Sequence, residues 1–288
     1  MPDIIAASRR RTLAKSEALP IRRTLHLSCL LLTVFVLTLL AGCTAPPPPD
    51  AEDEALLRDF RSLAFQTERP VLGNDGRPRP RRDHLAKWTI PVRVALVDGD
   101  SDSLRAPVPP SFRDLSEAHL ADLAGLTGLE ISSAPASRAN LLIFLAADPF
   151  AAARRHRGLF AHKIADRASY EALLAEMERT ATCFGFLWGG WPSGRSIDFA
   201  VAFVRADRGA RTIEGCLVQE VTQILGAMND LAPTADSVFS DSGRQVALTA
   251  RDRLLIRMLY DARLKPGMGW AEAEPLVRQV LRELRRGG

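Results

Sequence analysis

Residues 216–230 read CLVQEVTQILGAMND, and the fold turns on how that stretch is read. Ile213, Leu217, Val221, Ile224 and Met228 recur at three- and four-residue spacing. The spacing predicts an amphipathic helix over residues 212–228, with its apolar stripe turned to a core. Gln219, Gln223 and Gly226 fall on a different face. The two glutamines stand one helical turn apart, with Glu220 beside the first. Taken alone, that polar face reads as solvated helix surface.

The neighbouring blocks change the reading. Gln219, Glu220, Gln223, Gly226 and Asn229 keep the spacing of the string H-E-x-x-H-x-x-G-x-x-H. Ser237-Val238-Phe239 follows, and then Leu248-Thr249-x-x-Asp252-x-x-x-Ile256-x-x-Leu259-Tyr260. In this order the three blocks resemble the active-site helix, methionine turn and closing helix of the metzincin zinc peptidases. The resemblance implies an α+β, zincin-like fold: a mixed sheet, an active-site-type helix and a C-terminal helix. It departs at the metal ligands, where every histidine is replaced by an amide, and at the turn, where Phe239 replaces methionine.

That departure has a chemical meaning. Zinc takes imidazole, thiolate or carboxylate donors, whereas the neutral carbonyl oxygen of an amide suits harder cations. The resemblance therefore implies a vestigial site, with Gln219, Gln223, Asn229 and the adjacent Asp230 at or beside ligand positions. Glu220 would stand in the place of the general base with no metal-activated water to act on. Neither a metal nor another cofactor is expected. A rival reading retains metal-dependent hydrolysis through an atypical ligand set, such as Glu220 and Asp230 with a distant histidine. The approach of His84, His119, His156 or His162 to Gln219 and Glu220 would distinguish the two. Residues 216–230, together with Leu259-Tyr260-Asp261 and Leu264-Lys265-Pro266-Gly267-Met268, also resemble an uncharacterised family of Gram-negative lipoproteins known by a domain of unknown function. That likeness covers about residues 85–270 and implies no activity.

The amino terminus bears on location. Arg9, Arg10, Arg11, Lys15, Arg22 and Arg23 precede an apolar run over residues 25–40 that ends in Leu40-Ala41-Gly42-Cys43. A basic segment, a short apolar segment and small residues at its end mark a secretory signal. The run is also shorter than the ~20 residues preferred by a spanning helix. Leu-Ala-Gly-Cys resembles the bacterial lipobox, which implies that residues 1–42 are removed and Cys43 carries the lipid. An uncleaved anchor is the alternative. The expected location is a lipoprotein facing the periplasm, with Thr44 favouring the outer membrane. The membrane, through the lipid on Cys43, is then one partner, and a protein or peptide at the cleft is a second.

Charge argues against one class of partner. Of the formal net charge of +4, the six basic and two acidic residues of 1–42 account for all, so the remainder is formally neutral. Nucleic-acid binding normally requires a basic domain surface. Arg77, Arg79, Arg81 and Arg82, interleaved with Pro78 and Pro80, read as a solvated connector or as a patch for anionic lipid or polysaccharide. With Cys29 in the signal and Cys43 acylated, Cys183 and Cys216 remain, and in an oxidising compartment they most simply pair.

Three segments are expected: the signal over 1–42, a Pro-rich linker with one helix over 43–84, and the zincin-like domain with its C-terminal helix over 85–288. Pro46-Pro47-Pro48-Pro49 forms a stiff extended spacer. Helices are expected over 52–65, 115–126, 168–179 and within 268–288. Strands are expected over 90–96, 129–133, 140–146, 183–188 and 197–204. The loop with Trp188 and Trp191 is either a recognition tip over the cleft or packing at a hairpin end.

Overall fold

A computed structural model describes residues 51–66, 71–72, 78–79, 84–164, 167–178, 182–189, 196–233, 235–240 and 244–287. The expected signal, Cys43 and the proline spacer lie outside the described residues, as do Arg77, Arg81, Arg82 and Trp191. Among the described residues no helix is long and apolar enough to cross a membrane.

The chain opens with α1 (Ala51–Phe65), a small antiparallel pair β1 (Val71–Leu72) and β2 (Pro78–Arg79), and a short strand β3 (Lys87–Trp88). Then come β4 (Val92–Asp98), α2 (Pro110–Thr127), β5 (Ile131–Ser133), β6 (Leu141–Ala146), α3 (Pro149–Arg155) and α4 (Arg167–Glu178). The hairpin β7 (Phe184–Gly189) and β8 (Ser196–Arg205) leads to α5 (Ala210–Gln223), α6 (Ala250–Leu259) and α7 (Trp270–Arg286). Strand, helix, strands and then the helix carrying Gln219-Glu220 follow the order that the sequence predicts. The main sheet runs β3-β8-β6-β4-β5, all parallel, and β7 joins β8 antiparallel. The class is mixed α and β with a mostly parallel sheet, in agreement with the α+β expectation.

Each face of the sheet is buried by a separate set of side chains. β6, Leu-Leu-Ile-Phe-Leu-Ala, is buried at all six positions because it lies between β8 and β4 with helices on both sides. Leu141, Ile143 and Leu145 join Val92, Val94, Ala200, Ala202 and Val204 in a core with α1, α2, α5, α6 and α7. Leu142 and Phe144 face the other way, with Ala95, Val97, Val201 and Phe203, under α3 and α4. That second layer is aromatic: Phe144 stacks on Phe203 at 4.7 Å, and Phe184 on Phe203 at 4.8 Å and on Phe150 at 4.7 Å.

Several details depart from the sequence expectations. α1 was expected within the linker segment 43–84, yet its Leu56, Leu57, Phe60 and Leu63 are buried in the first core. Arg278 of α7 pairs with Glu54 of α1 at 2.5 Å, and Arg251 of α6 with Asp59 at 2.6 Å. α2 begins at Pro110, five residues before the expected start, because proline suits the first helical turn. α3 was not anticipated. Its signal is Asp148-Pro149, where the Asp148 carboxylate accepts from the amides of Phe150 and Ala151 as an N-cap.

Candidate functional site

α5 supplies the polar face singled out in the sequence. Leu217, Val218 and Val221 are buried against the sheet, and Gln219 and Gln223 lie half-buried on the stripe that also holds Cys216. The helix stops at Gln223 and not at Met228 as the periodicity predicts. Gly226 explains the early end. Its φ is +121°, and a Cβ there would lie 2.2 Å from the carbonyl oxygen of Ala86, so only glycine lets the chain turn so close to β3. The Gly226 amide donates back to Gln223 O at 2.9 Å.

Side chains from β3 and α6 satisfy the carbonyls at this helix end. The Trp88 indole donates to Ile224 O at 3.0 Å, and the Tyr260 hydroxyl donates to Leu225 O at 2.8 Å. Burial pushes the Tyr260 phenol well above its usual range, so it remains a donor. Beside Trp88, the Lys87 ammonium donates to Leu259 O and Asp261 O at 3.1 and 2.9 Å, capping the negative end of α6. Burial draws its pKa down to about 8. Sequence reasoning missed both β3 side chains; a two-residue strand leaves no periodic signal.

Glu220 is 9% exposed and points toward β7. A Cβ at Gly185 would stand 3.3 Å from the Glu220 carboxylate and 3.0 Å from Ile224, so this glycine makes the room for the glutamate between helix and strand. Cys183, just before β7, is joined to Cys216 of α5 by a disulfide, with 5.8 Å between the Cα atoms. The pairing predicted from cysteine count is present and fastens the antiparallel strand to the helix.

The remaining positions of the motif divide between two partners. Gln223 donates its amide nitrogen to Asp230 at 2.6 Å. Asn229 donates to the Ser62 hydroxyl of α1 at 2.7 Å, while the neighbouring Met228 amide donates to Leu63 O at 2.9 Å. The segment after Gly226 is thus held along α1. Of the residues predicted to form one site, Gln219 and Gln223 share a face, Asp230 joins Gln223, Glu220 lies toward β7, and Asn229 is engaged by α1.

The turn and closing helix are tied together by Asp252, which is fully buried. Its carboxylate accepts from Ser237 Oγ at 2.5 Å, Val238 N at 3.1 Å and Thr249 N at 2.9 Å. Thr249 caps α6 in return through the Asp252 amide, completing a capping box. Phe239 is wholly buried in the first core, in the position where the resemblance places methionine. Leu231 N donates to Phe239 O at 2.8 Å, which brings this turn back to the strand of chain that follows Asp230.

The histidines make contacts on several different elements. His119 of α2 is buried and meets Thr222 Oγ1 at 3.1 Å on another face of α5. Burial pulls its pKa down to about 4, so it is neutral. His156 contacts Gly99 O at 3.2 Å and Phe144, and His162 meets Phe199 edge-on, both on the opposite side of the sheet. His84 forms a bridge with Gly269. Among the described residues no group of three or more His, Cys, Asp or Glu side chains is placed to hold a metal ion. The donors at the motif positions, two amides on α5 and one amide bonded to Ser62, do not fit zinc.

Trp188 does not overhang this site. On β7, Phe184, Phe186 and Trp188 face the second layer, whereas Gly185 faces α5. Trp188 lies half-buried beside Phe160, Phe186 and Phe199. It packs on the far side of the sheet from Glu220.

No curated protein and no solved structure matches the chain. One family model matches residues 53–279, from the first turns of α1 into α7. The chain belongs to that family, described as protein of unknown function (DUF2927).

Proposed function

We propose that this chain is a lipid-anchored cell-envelope protein whose zincin-like domain has lost metal catalysis and acts as a binding or structural module. The observation that carries the reading is the fate of the ligand positions. Asn229 is engaged by Ser62 and Gln223 by Asp230, so these amides serve as structural hydrogen-bond donors in a frame that otherwise keeps the motif's turns. Gly226, the buried turn at Ser237-Val238-Phe239 and the Asp252 clasp support the zincin-like frame. The antiparallel strand β7, set beside α5 and fastened to it by the disulfide, supports the reading that a protein or peptide partner would bind along β7 beside that helix. The basic signal and Cys43 support attachment to a membrane on the periplasmic side, the outer membrane being favoured.

Two measurements test this. Cys43→Ser should move the protein from the detergent phase to the aqueous phase, or leave its signal unprocessed; unchanged partitioning rules out the lipid anchor. Wild-type protein and Glu220→Gln should be equally inactive on unfolded protein substrates. A peptidase activity that Glu220→Gln abolishes overturns the non-catalytic assignment.

A further inference from the structure

The opposite face of the sheet carries a depression that neither the motif nor the family assigns. Its volume is about 720 Å³, and Arg93, Arg138, His162 and Lys163 line it around the ring of Phe199. No carboxylate is among its described lining residues. It belongs to the second layer: Arg93 lies on the same face of β4 as Ala95 and Val97, and Phe199 packs with Trp188. α5 packs on the other face of the sheet.

The arrangement is built. Arg93 is fixed by Asn140, whose side-chain oxygen accepts from the Arg93 amide at 2.6 Å and whose own amide donates to Arg93 O at 2.9 Å. The Arg93 side chain then donates through Nε to Arg138 O at 3.0 Å, which holds the two arginines at one rim. Arg138 makes no side-chain hydrogen bond or ion pair among the described residues, and Arg93 makes no ion pair among them. Across the depression Lys163 is anchored on Asp198 at 2.9 Å and lies 5.8 Å from the centre of the Phe199 ring. Asp198 is the extra residue of a β-bulge. Trp188 pairs with Phe199 and Gly189 with Ile197, so the chain shifts register there, and Phe199 and Ile197 enter opposite layers.

Arg93 and Arg138 both line this depression, and an oxyanion bound there would meet two positive charges. Arginine also matches phosphate and carboxylate with paired N–H donors, and neither guanidinium here is occupied by an acid among the described residues. We propose that this depression binds a small ligand bearing multiple phosphate or carboxylate groups, with Arg93 and Arg138 as the primary contacts and Lys163 as a second-wall cation.

The test is calorimetric titration of the purified full chain with pyrophosphate and, separately, with citrate, at about 0.02 M and about 0.15 M salt. Saturable one-to-one binding of at least one probe is expected, weaker at the higher salt. The double variant Arg93→Gln/Arg138→Gln should weaken it at least about tenfold, because two charge-assisted contacts are removed. Arg285→Gln, which removes a charge on α7, should leave it unchanged. Binding of pyrophosphate alone identifies a phosphate ligand, and of citrate alone a carboxylate ligand. Both arginines are exposed, so folded variants are expected and far-UV circular dichroism checks this. Lys163→Gln supplies an independent loss of one wall. Absence of saturable binding with either probe, or affinity unaltered in the double variant, overturns the proposal without touching the reading of β7 and α5.

Discussion

Removing the Asp252 carboxylate should cost a large part of the domain's stability. Asp252→Ala takes the acceptor from two backbone amides, Val238 N and Thr249 N, in a site where the aspartate is wholly buried. A buried donor left without an acceptor costs about 1–3 kcal/mol, and the Thr249 hydroxyl can still cap the backbone amide of residue 252. The Ser237 and Thr249 hydroxyls can rotate to other acceptors, so they are left out of the count. For the two amides the total is roughly 2–6 kcal/mol, against about 5–15 kcal/mol for a whole domain. Asp252→Asn retains one carbonyl oxygen and should lose about half as much, and Ser237→Ala, which deletes a single hydroxyl, about 1 kcal/mol. Urea unfolding followed by tryptophan fluorescence and by circular dichroism gives these differences from the midpoint shifts. A folded Asp252→Ala protein within about 1 kcal/mol of wild type, with an unchanged denaturant slope, would refute the claim that this clasp seats the buried turn.

Three other outcomes follow from the geometry. Gly226→Ala should destabilise by more than the ~1–3 kcal/mol of a strained backbone, because its Cβ would also meet Ala86 O at 2.2 Å; a neutral melting temperature would contradict the close approach. His119 is neutral when folded, with its pKa lowered to about 4 by burial, near Asp122 and Arg253. The unfolded chain, with pKa ~6.5, takes up the proton first, so this group's contribution is complete above about pH 6.5 and is lost as pH falls toward about 4. The loss is at most about 3 kcal/mol, and His119→Gln should flatten the pH dependence of stability in that window; an unaltered slope would count against it. Opening the Cys183–Cys216 bond, which closes a loop of sequence separation 33, should cost ~4 kcal/mol, measured as the fall in unfolding midpoint under reductant or in Cys216→Ser. In a Cys29→Ser/Cys43→Ser background, which leaves only Cys183 and Cys216, two titratable thiols in unfolded, unreduced protein would deny the bond.

The sequence carried the frame of this domain better than its terminations. β6 was legible because six consecutive apolar residues suit a strand covered on both faces, and α5 because Leu217 and Val221 keep helical spacing. The end of α5 was not, since Ile224 and Met228 continue the periodicity while the conformation of Gly226 depends on Ala86, 140 positions away in the chain. α1 was visible as a helix but not as core, because burial depends on what α6 and α7 bring to it. The disulfide followed from counting cysteines. Asn229 shows the limit of motif reading: spacing marked it as a ligand position, but its partner is Ser62, a residue with no sequence signal of its own. The arginine pair was illegible because the bond from Arg93 Nε to Arg138 O joins positions 45 apart, brought together only when β4 pairs with β6.

The zinc content of wild-type protein beside that of the variant Gln219→His/Gln223→His/Asn229→His tests the central claim most directly. Both are purified with zinc present, dialysed and analysed for bound metal. Residues 219 and 223 share a face of α5, so imidazoles there would form one half of a zinc site, and a histidine at 229 would exchange the Ser62 bond for the third ligand. Wild type is expected to retain far less than about one zinc per chain, and the folded variant about one. About one zinc per wild-type chain would contradict the loss of metal catalysis; a folded variant that binds none would contradict the zincin-like frame itself.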